Sequence, residues 1–162
     1  MRQRLHPQTH DRVLSTPCDN ARVYRHDYIL RLIERFGQAL TALRDRLLRR
    51  TTEDVTARVE IGEIAREAGL DLGVARSLDP SMLLMWLAPS GEPDPARLWL
   101  MAELLYLEGL HPRASGESSR RADLERALAI FDRLPQEWRP TDAFATAGER
   151  AEEIRTRLSA DA

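Results

Sequence analysis

Ile29, Ile33, Phe36, Leu40, Leu43 and Leu47 stand at successive spacings of 4, 3, 4, 3 and 4 residues. That period holds them on one face of an α-helix and does not suit a strand, whose side chains alternate every two residues. Leu30, Leu32, Ala39 and Leu48 widen the stripe beyond what a two-stranded coiled-coil seam requires. The spacing predicts a helix over about 23–49 that packs against several partners. Arg44, Arg46, Arg49 and Arg50 crowd its C-terminal end, where cations favour the helix dipole.

Similar stripes follow, each with its own punctuation. A second helix is expected from near Thr52, a candidate cap, with Glu53 and Asp54 in its first turn. Ala57, Ile61, Ile64 and Ala68 give its face and Gly69 its stop. Gly73 to Leu78 is short and reads either way. Asp79-Pro80 and Asp94-Pro95 repeat one start signal, an aspartate cap followed by proline at the first helical position. The first opens the short apolar piece Met82 to Leu87. The second opens a helix to about residue 109 carrying Leu98, Met101, Ala102, Leu104, Leu105 and Leu107, apolar on more than one face and so expected at the centre. Gly109 to Ser119 reads as a loop. Leu124, Ala127, Leu128, Phe131 and Leu134 mark the next helix, and Phe144, Ala147, Ala151, Ile154 and Leu158 the last.

No segment alternates with period 2, so the fold class is all-α: a compact helical bundle with five main helices and one or two short ones. A chain of 162 residues is of single-domain size, and the helices place that domain at residues 22–160. Residues 1–21 hold Pro7, Pro17 and the polar run Gln8-Thr9-His10-Asp11, and read as a flexible arm, with docking through Val13 and Leu14 as the alternative.

Three parts of this layout resemble a known family. Asp27-Tyr28-Ile29-Leu30-Arg31-Leu32-Ile33-Glu34, followed by Ala39-Leu40, is similar to the N-terminal D-Y-I-x-R-x-I-E signature of a bacterial family of small, helical, tetratricopeptide-like proteins. The likeness continues in Ala102-Glu103-Leu104-Leu105-Tyr106-Leu107-Glu108-Gly109 and in Leu124 to Phe131. The resemblance implies tetratricopeptide-like helix pairing in the C-terminal half, at about 95–109 and 119–134, and carries no catalytic residue, because that family has no assigned activity. The loop Leu110 to Ser118 is longer than a standard repeat, and no second copy follows at a 34-residue period.

Composition removes several mechanisms. All 24 basic residues are arginine. No lysine can reach a phosphate from a P-loop, form a Schiff base or act as a base of lowered pKa. The single Cys18 excludes an intrachain disulfide and a multi-cysteine zinc site, and in the polar arm it has no helix start to lower its pKa. His6, His10, His26 and His111 form no H-E-x-x-H pair and read as solvated. Ser90-Gly91 and Ser115-Gly116 lack a nucleophile elbow, and no G-x-G-x-x-G occurs. Glu60, Glu63 and Glu67 share one helix face, as carboxylates at a metal do. The third residue after Glu63 is Arg66 rather than histidine, so a solvated face with local ion pairs is the expectation. No metal and no cofactor is inferred.

What remains points to contacts with other molecules. Asp27 and Arg31, one turn apart with the acid first, suit a helix-surface pair beside Tyr28, near the helix start. Asp27, Tyr28 and Arg31 form a candidate partner-binding corner. Trp138, between Pro135 and Pro140, is a second candidate, whereas Trp86 and Trp99 stand among leucines and are expected in the core. The net charge of −2 hides a division: residues 1–50 carry 11 arginines against 5 acids, and residues 51–162 carry 13 against 21. The expected function is a non-enzymatic helical protein–protein interaction or scaffold module, with a second copy of the chain among its candidate partners. The alternative is a nucleic-acid-associated protein using the basic N-terminal half. The longest apolar run, Met82 to Ala88, is far below the roughly 20 residues of a membrane span. With no signal-peptide pattern, a cytoplasmic location is expected and no membrane contact. No small-molecule substrate is inferred.

Overall fold

A proline at the first helical position opens three of the seven helices among the described residues. Its ring presets the helical backbone, and the amide it lacks would have had no partner there. These are α1 (Pro17–Arg49), α4 (Pro80–Leu87) and α5 (Pro95–Leu110). The others are α2 (Asp54–Glu67), α3 (Leu72–Ser77), α6 (Glu117–Phe131) and α7 (Ala147–Ala160). This computed structural model describes residues 17–49, 54–88, 93–111 and 117–160, which contain no strand.

Helix α1 begins at Pro17. Residues 17–21 belong to the first helical turns, six residues earlier than the apolar stripe alone indicates. Cys18 therefore stands in a helix's first turn rather than in an extended segment. Residues 1–16, with His6, His10, Val13 and Leu14, lie outside the described residues, as does the expected cap Thr52. At 33 residues α1 is about 50 Å long. Its stripe is the core face: Ile29, Ile33, Leu40 and Leu43 are at most 1% exposed, and Leu32 and Leu47 are buried beside them. Ala39, counted in the wider stripe, faces solvent.

Helix ends follow the chemistry of unsatisfied backbone groups. The Asp79 carboxylate accepts from the Ser81 and Met82 amides, and the Asp94 carboxylate from the Ala96 amide. The turn Gly73 to Leu78 is a helix, capped by Asp71 on the Val74 amide. Its C-terminal carbonyls, those of Arg76 and Leu78, take hydrogen bonds from Arg126 of α6, which fastens the α3–α4 junction. Helix α2 ends in a Schellman turn. The Gly69 amide bonds the Arg66 carbonyl and the Leu70 amide bonds the Ala65 carbonyl, with Gly69 at φ +64°, a conformation that favours glycine. A capping box opens α7: the Thr146 hydroxyl accepts from the Glu149 amide, and the Glu149 carboxylate from the Thr146 amide.

Helix α5 is the centre. Every residue from Leu98 to Gly109 is buried, so the helix is enclosed on all sides. It packs most extensively on α6 and also meets α1 and α2, while α6 carries α7 and α4. The helix continues through Gly109 to Leu110, and Gly109 lies close against α6. A Cβ there would stand 2.6 Å from Leu124 Cδ2. Phe144 lies ahead of α7 instead of within it. Its ring meets Trp99 edge-on, centroids 4.8 Å apart, which seats the 132–146 connection on the core.

Candidate functional site

Asp27, Tyr28 and Arg31 sit in the third and fourth turns of α1, well inside the helix, because α1 begins at Pro17. Asp27 therefore lies beyond the reach of the N-terminal dipole. The Tyr28 hydroxyl donates to the Glu67 carbonyl at the end of α2, 3.0 Å away, and the residue remains 51% exposed. One helix thus supplies the ring and another fixes its tip. Arg35, whose guanidinium lies 4.5 Å from the Phe36 ring centroid, pairs with the Glu67 carboxylate and ties the same helix end. Asp27 and Arg31 are exposed and make no ion pair with each other or with another described residue. The corner is a held aromatic ring flanked by one free acid and one free base.

Two arginines of the basic end of α1 are engaged within the fold. Arg44 donates two hydrogen bonds to Glu153 of α7, at 2.8 and 3.0 Å, and Arg46 pairs with Glu60 of α2. With Arg35 on Glu67, three arginines of α1 neutralise acids on two neighbouring helices. Glu60 and Glu67 are therefore ion-pair partners across α1–α2, and not only part of a solvated face. Among the described residues no three histidine, cysteine or acidic side chains gather as they would around a metal.

Sequence reasoning missed two buried ionic clusters. In the first, Arg150 of α7 grips Glu103 of α5 through two hydrogen bonds of 3.0 Å, with both side chains at most 5% exposed. Burial raises the Glu103 carboxyl above its ordinary pKa, against the pull of Arg150. Glu153 accepts from Arg150 at 2.6 Å and from the Tyr106 hydroxyl at 2.6 Å. Burial alone would raise Glu153 as well, but the Tyr106 hydroxyl, Arg150 and Arg44 outweigh it and hold the carboxyl at about 2. Burial and the same hydrogen bond push Tyr106 up to about 12. In the second cluster, Arg76 of α3 joins Glu108 of α5 at 2.5 Å and Asp123 of α6 at 3.3 Å. Burial raises Asp123, with Arg76 opposing it.

These clusters tie helices together and engage their own charges. Sequence carried one sign of the first: Glu103 interrupts an otherwise apolar run, and a charge in that position requires a partner. The remaining candidates are scattered. His26 bonds Asp94 through Nδ1 at 2.7 Å, so it is engaged and not simply solvated, and His111 is buried. Trp99 is fully buried and Trp86 packs half-buried on the core. Trp138 is also half-buried against the core, on the 132–146 connection, and is not brought together with the α1 corner. Comparison with family models, with curated proteins and with solved structures finds no match to the chain.

Proposed function

We propose that the chain is a non-enzymatic helical interaction module that receives a protein partner at the corner formed by Asp27, Tyr28 and Arg31. One observation carries this reading: the Tyr28 ring is half exposed yet held by the Glu67 carbonyl, between an acid and a base that have no ion pair among the described residues. A held aromatic loses little side-chain freedom on binding, and tyrosine and arginine are enriched where interfaces concentrate their energy. A partner presenting a base and an acid one helical turn apart would satisfy both charges. A second copy of this chain carries such a pair itself. Trp138, half-buried, is a secondary candidate for the same role.

Tetratricopeptide-like pairing belongs to this reading through α5 and α6, the most extensively packed pair in the molecule. So does membership of the bacterial family that the run from Asp27 to Glu34 resembles. A cytoplasmic location fits a chain whose single cysteine can form no internal disulfide. No helix among the described residues is long and apolar enough to cross a membrane. Nucleic-acid contact by the basic half is less favoured, because Arg35, Arg44 and Arg46 already face carboxylates.

The test is affinity capture from the native host with the wild-type chain and with the Asp27→Ala/Arg31→Ala variant. Both residues are exposed, so the variant should fold normally. A partner held by the wild type and lost from the variant is the expected result. An unchanged set of captured proteins would remove the corner from consideration.

A further inference from the structure

A groove of about 840 Å³ opens between α4 and α6, with α5 as its floor. Leu84 and Met85 of α4, with Ala88 just past its end, form one wall. Leu98 forms the floor, and Ala129 of α6 with Arg133, two residues past the end of that helix, forms the other wall. The volume lies within the few-hundred to thousand Å³ range of small-molecule sites. The lining is apolar apart from Ser81 at the start of α4 and Arg133 at the rim.

Charge decides the sign of the occupant. Arg133 is exposed and makes no ion pair among the described residues. Among the residues that line the groove, Arg133 is the one charged side chain, and no acid stands with it. Asp132 takes Arg155 at 2.5 Å, Asp79 caps α4, and Asp94 caps α5 while holding His26. The groove therefore presents one unmatched cation over an apolar trough. Size decides the class of occupant. A stable protein interface enlists about 20–30 residues a side, whereas nine residues line this groove. Met85, 73% exposed at the mouth, supplies a flexible thioether wall that adapts to an apolar chain.

We propose that the α4–α6 groove binds a small amphiphile, an apolar body with a single anionic head, its chain over Leu84, Met85 and Leu98 and its head on the Arg133 guanidinium. This site lies on different helices from the α1 corner and does not depend on it. Methyl-labelled methionine gives a direct readout, because Met85 lines the groove and Met101 is fully buried in α5. The full chain is titrated with dodecanoate, dodecanol and dodecyltrimethylammonium, each below its micelle concentration. Dodecanoate is expected to shift the Met85 methyl signal saturably, leave Met101 unmoved, and bind about tenfold or more tighter than the other two. Arg133→Ala should erase that preference, and Arg133→Glu should transfer it to dodecyltrimethylammonium. Arg133 has no ion pair in the fold to lose, so both variants should retain the wild-type circular dichroism. Equal affinity for all three probes would overturn the proposal, as would a silent Met85. A Met85 shift that depends on protein concentration without any probe would give the groove to a second copy of the chain and overturn it too.

Discussion

At the scale of single residues, the same substitution should have opposite effects at two glycines. At Gly109 a Cβ would press on Leu124, 2.6 Å from Cδ2, where α5 lies against α6. Gly109→Ala should cost about 1–3 kcal/mol by overpacking. At Gly62, exposed in the middle of α2, nothing lies within 4 Å of a Cβ. Gly62→Ala should stabilise by about 0.5–1 kcal/mol, because alanine loses less backbone freedom in a helix. Urea unfolding of the two variants checks both signs. Glu153 offers a second test at this scale. Its folded-state carboxyl, at about 2, lies below its unfolded value, so its contribution is present above the unfolded value and lost as pH falls toward 2. Tyr106→Phe removes the hydroxyl that donates to it. An NMR titration should then find the Glu153 carboxyl raised, and the stability lost in acid should be smaller and complete at a higher pH. An unmoved carboxyl would contradict the assigned hydrogen bond.

Between elements, the Arg150–Glu103 pair joins α7 to α5 inside the core, and its energetics differ from those of the surface pairs. Removing one partner leaves a buried charge, whereas removing both leaves an apolar contact. Arg150→Met should cost about 3–5 kcal/mol, and Glu103→Leu/Arg150→Met should recover most of that loss. The single variant carries a pH signature. Burial already raises Glu103, and without Arg150 nothing comparable opposes it. Its protonated form then suits the fold, so stability is retained below the unfolded pKa of roughly 4.3 and lost as pH rises through the folded value. Arg150→Met should therefore be least destabilised in mild acid, measured by urea midpoints across the pH range. Equal destabilisation at every pH would show that Glu103 does not carry the charge in that variant.

Much of this element-level architecture is written locally in the sequence. Asp79-Pro80 and Asp94-Pro95 mark their helices because cap and proline act on backbone groups a few residues away. Gly69 does the same at the end of α2. Thr146 and Glu149 show the capping-box spacing, and Thr16-Pro17 shows the cap-then-proline order. The Thr16-Pro17 signal is weak because no apolar stripe accompanies it. The ionic clusters were not legible, since Glu103 and Arg150 stand 47 residues apart and meet only after α5 and α7 pack on their neighbours. The candidate corner was half legible. Its residues were visible as a polar group, but the bond from Tyr28 to Glu67, 39 residues on, is a product of packing.

For the molecule as a whole, part of the division of charge along the chain is met within the fold. The basic N-terminal half and the acidic remainder meet through Arg35–Glu67, Arg46–Glu60 and Arg44–Glu153, which hold α1 to α2 and α7. Asp27 and Arg31, exposed and without an ion pair among the described residues, stand beside a held ring. The most direct measurement places a photo-crosslinking amino acid at Glu34, exposed one turn beyond Arg31, with a control at Asp142, whose side chain is 95% exposed on the 132–146 connection. Irradiation in the native host should give a discrete crosslinked species from position 34, lost when Tyr28→Ala and Arg31→Ala are added, and no such species from position 142. No crosslink at position 34, or the same product from both positions, would contradict the interaction corner.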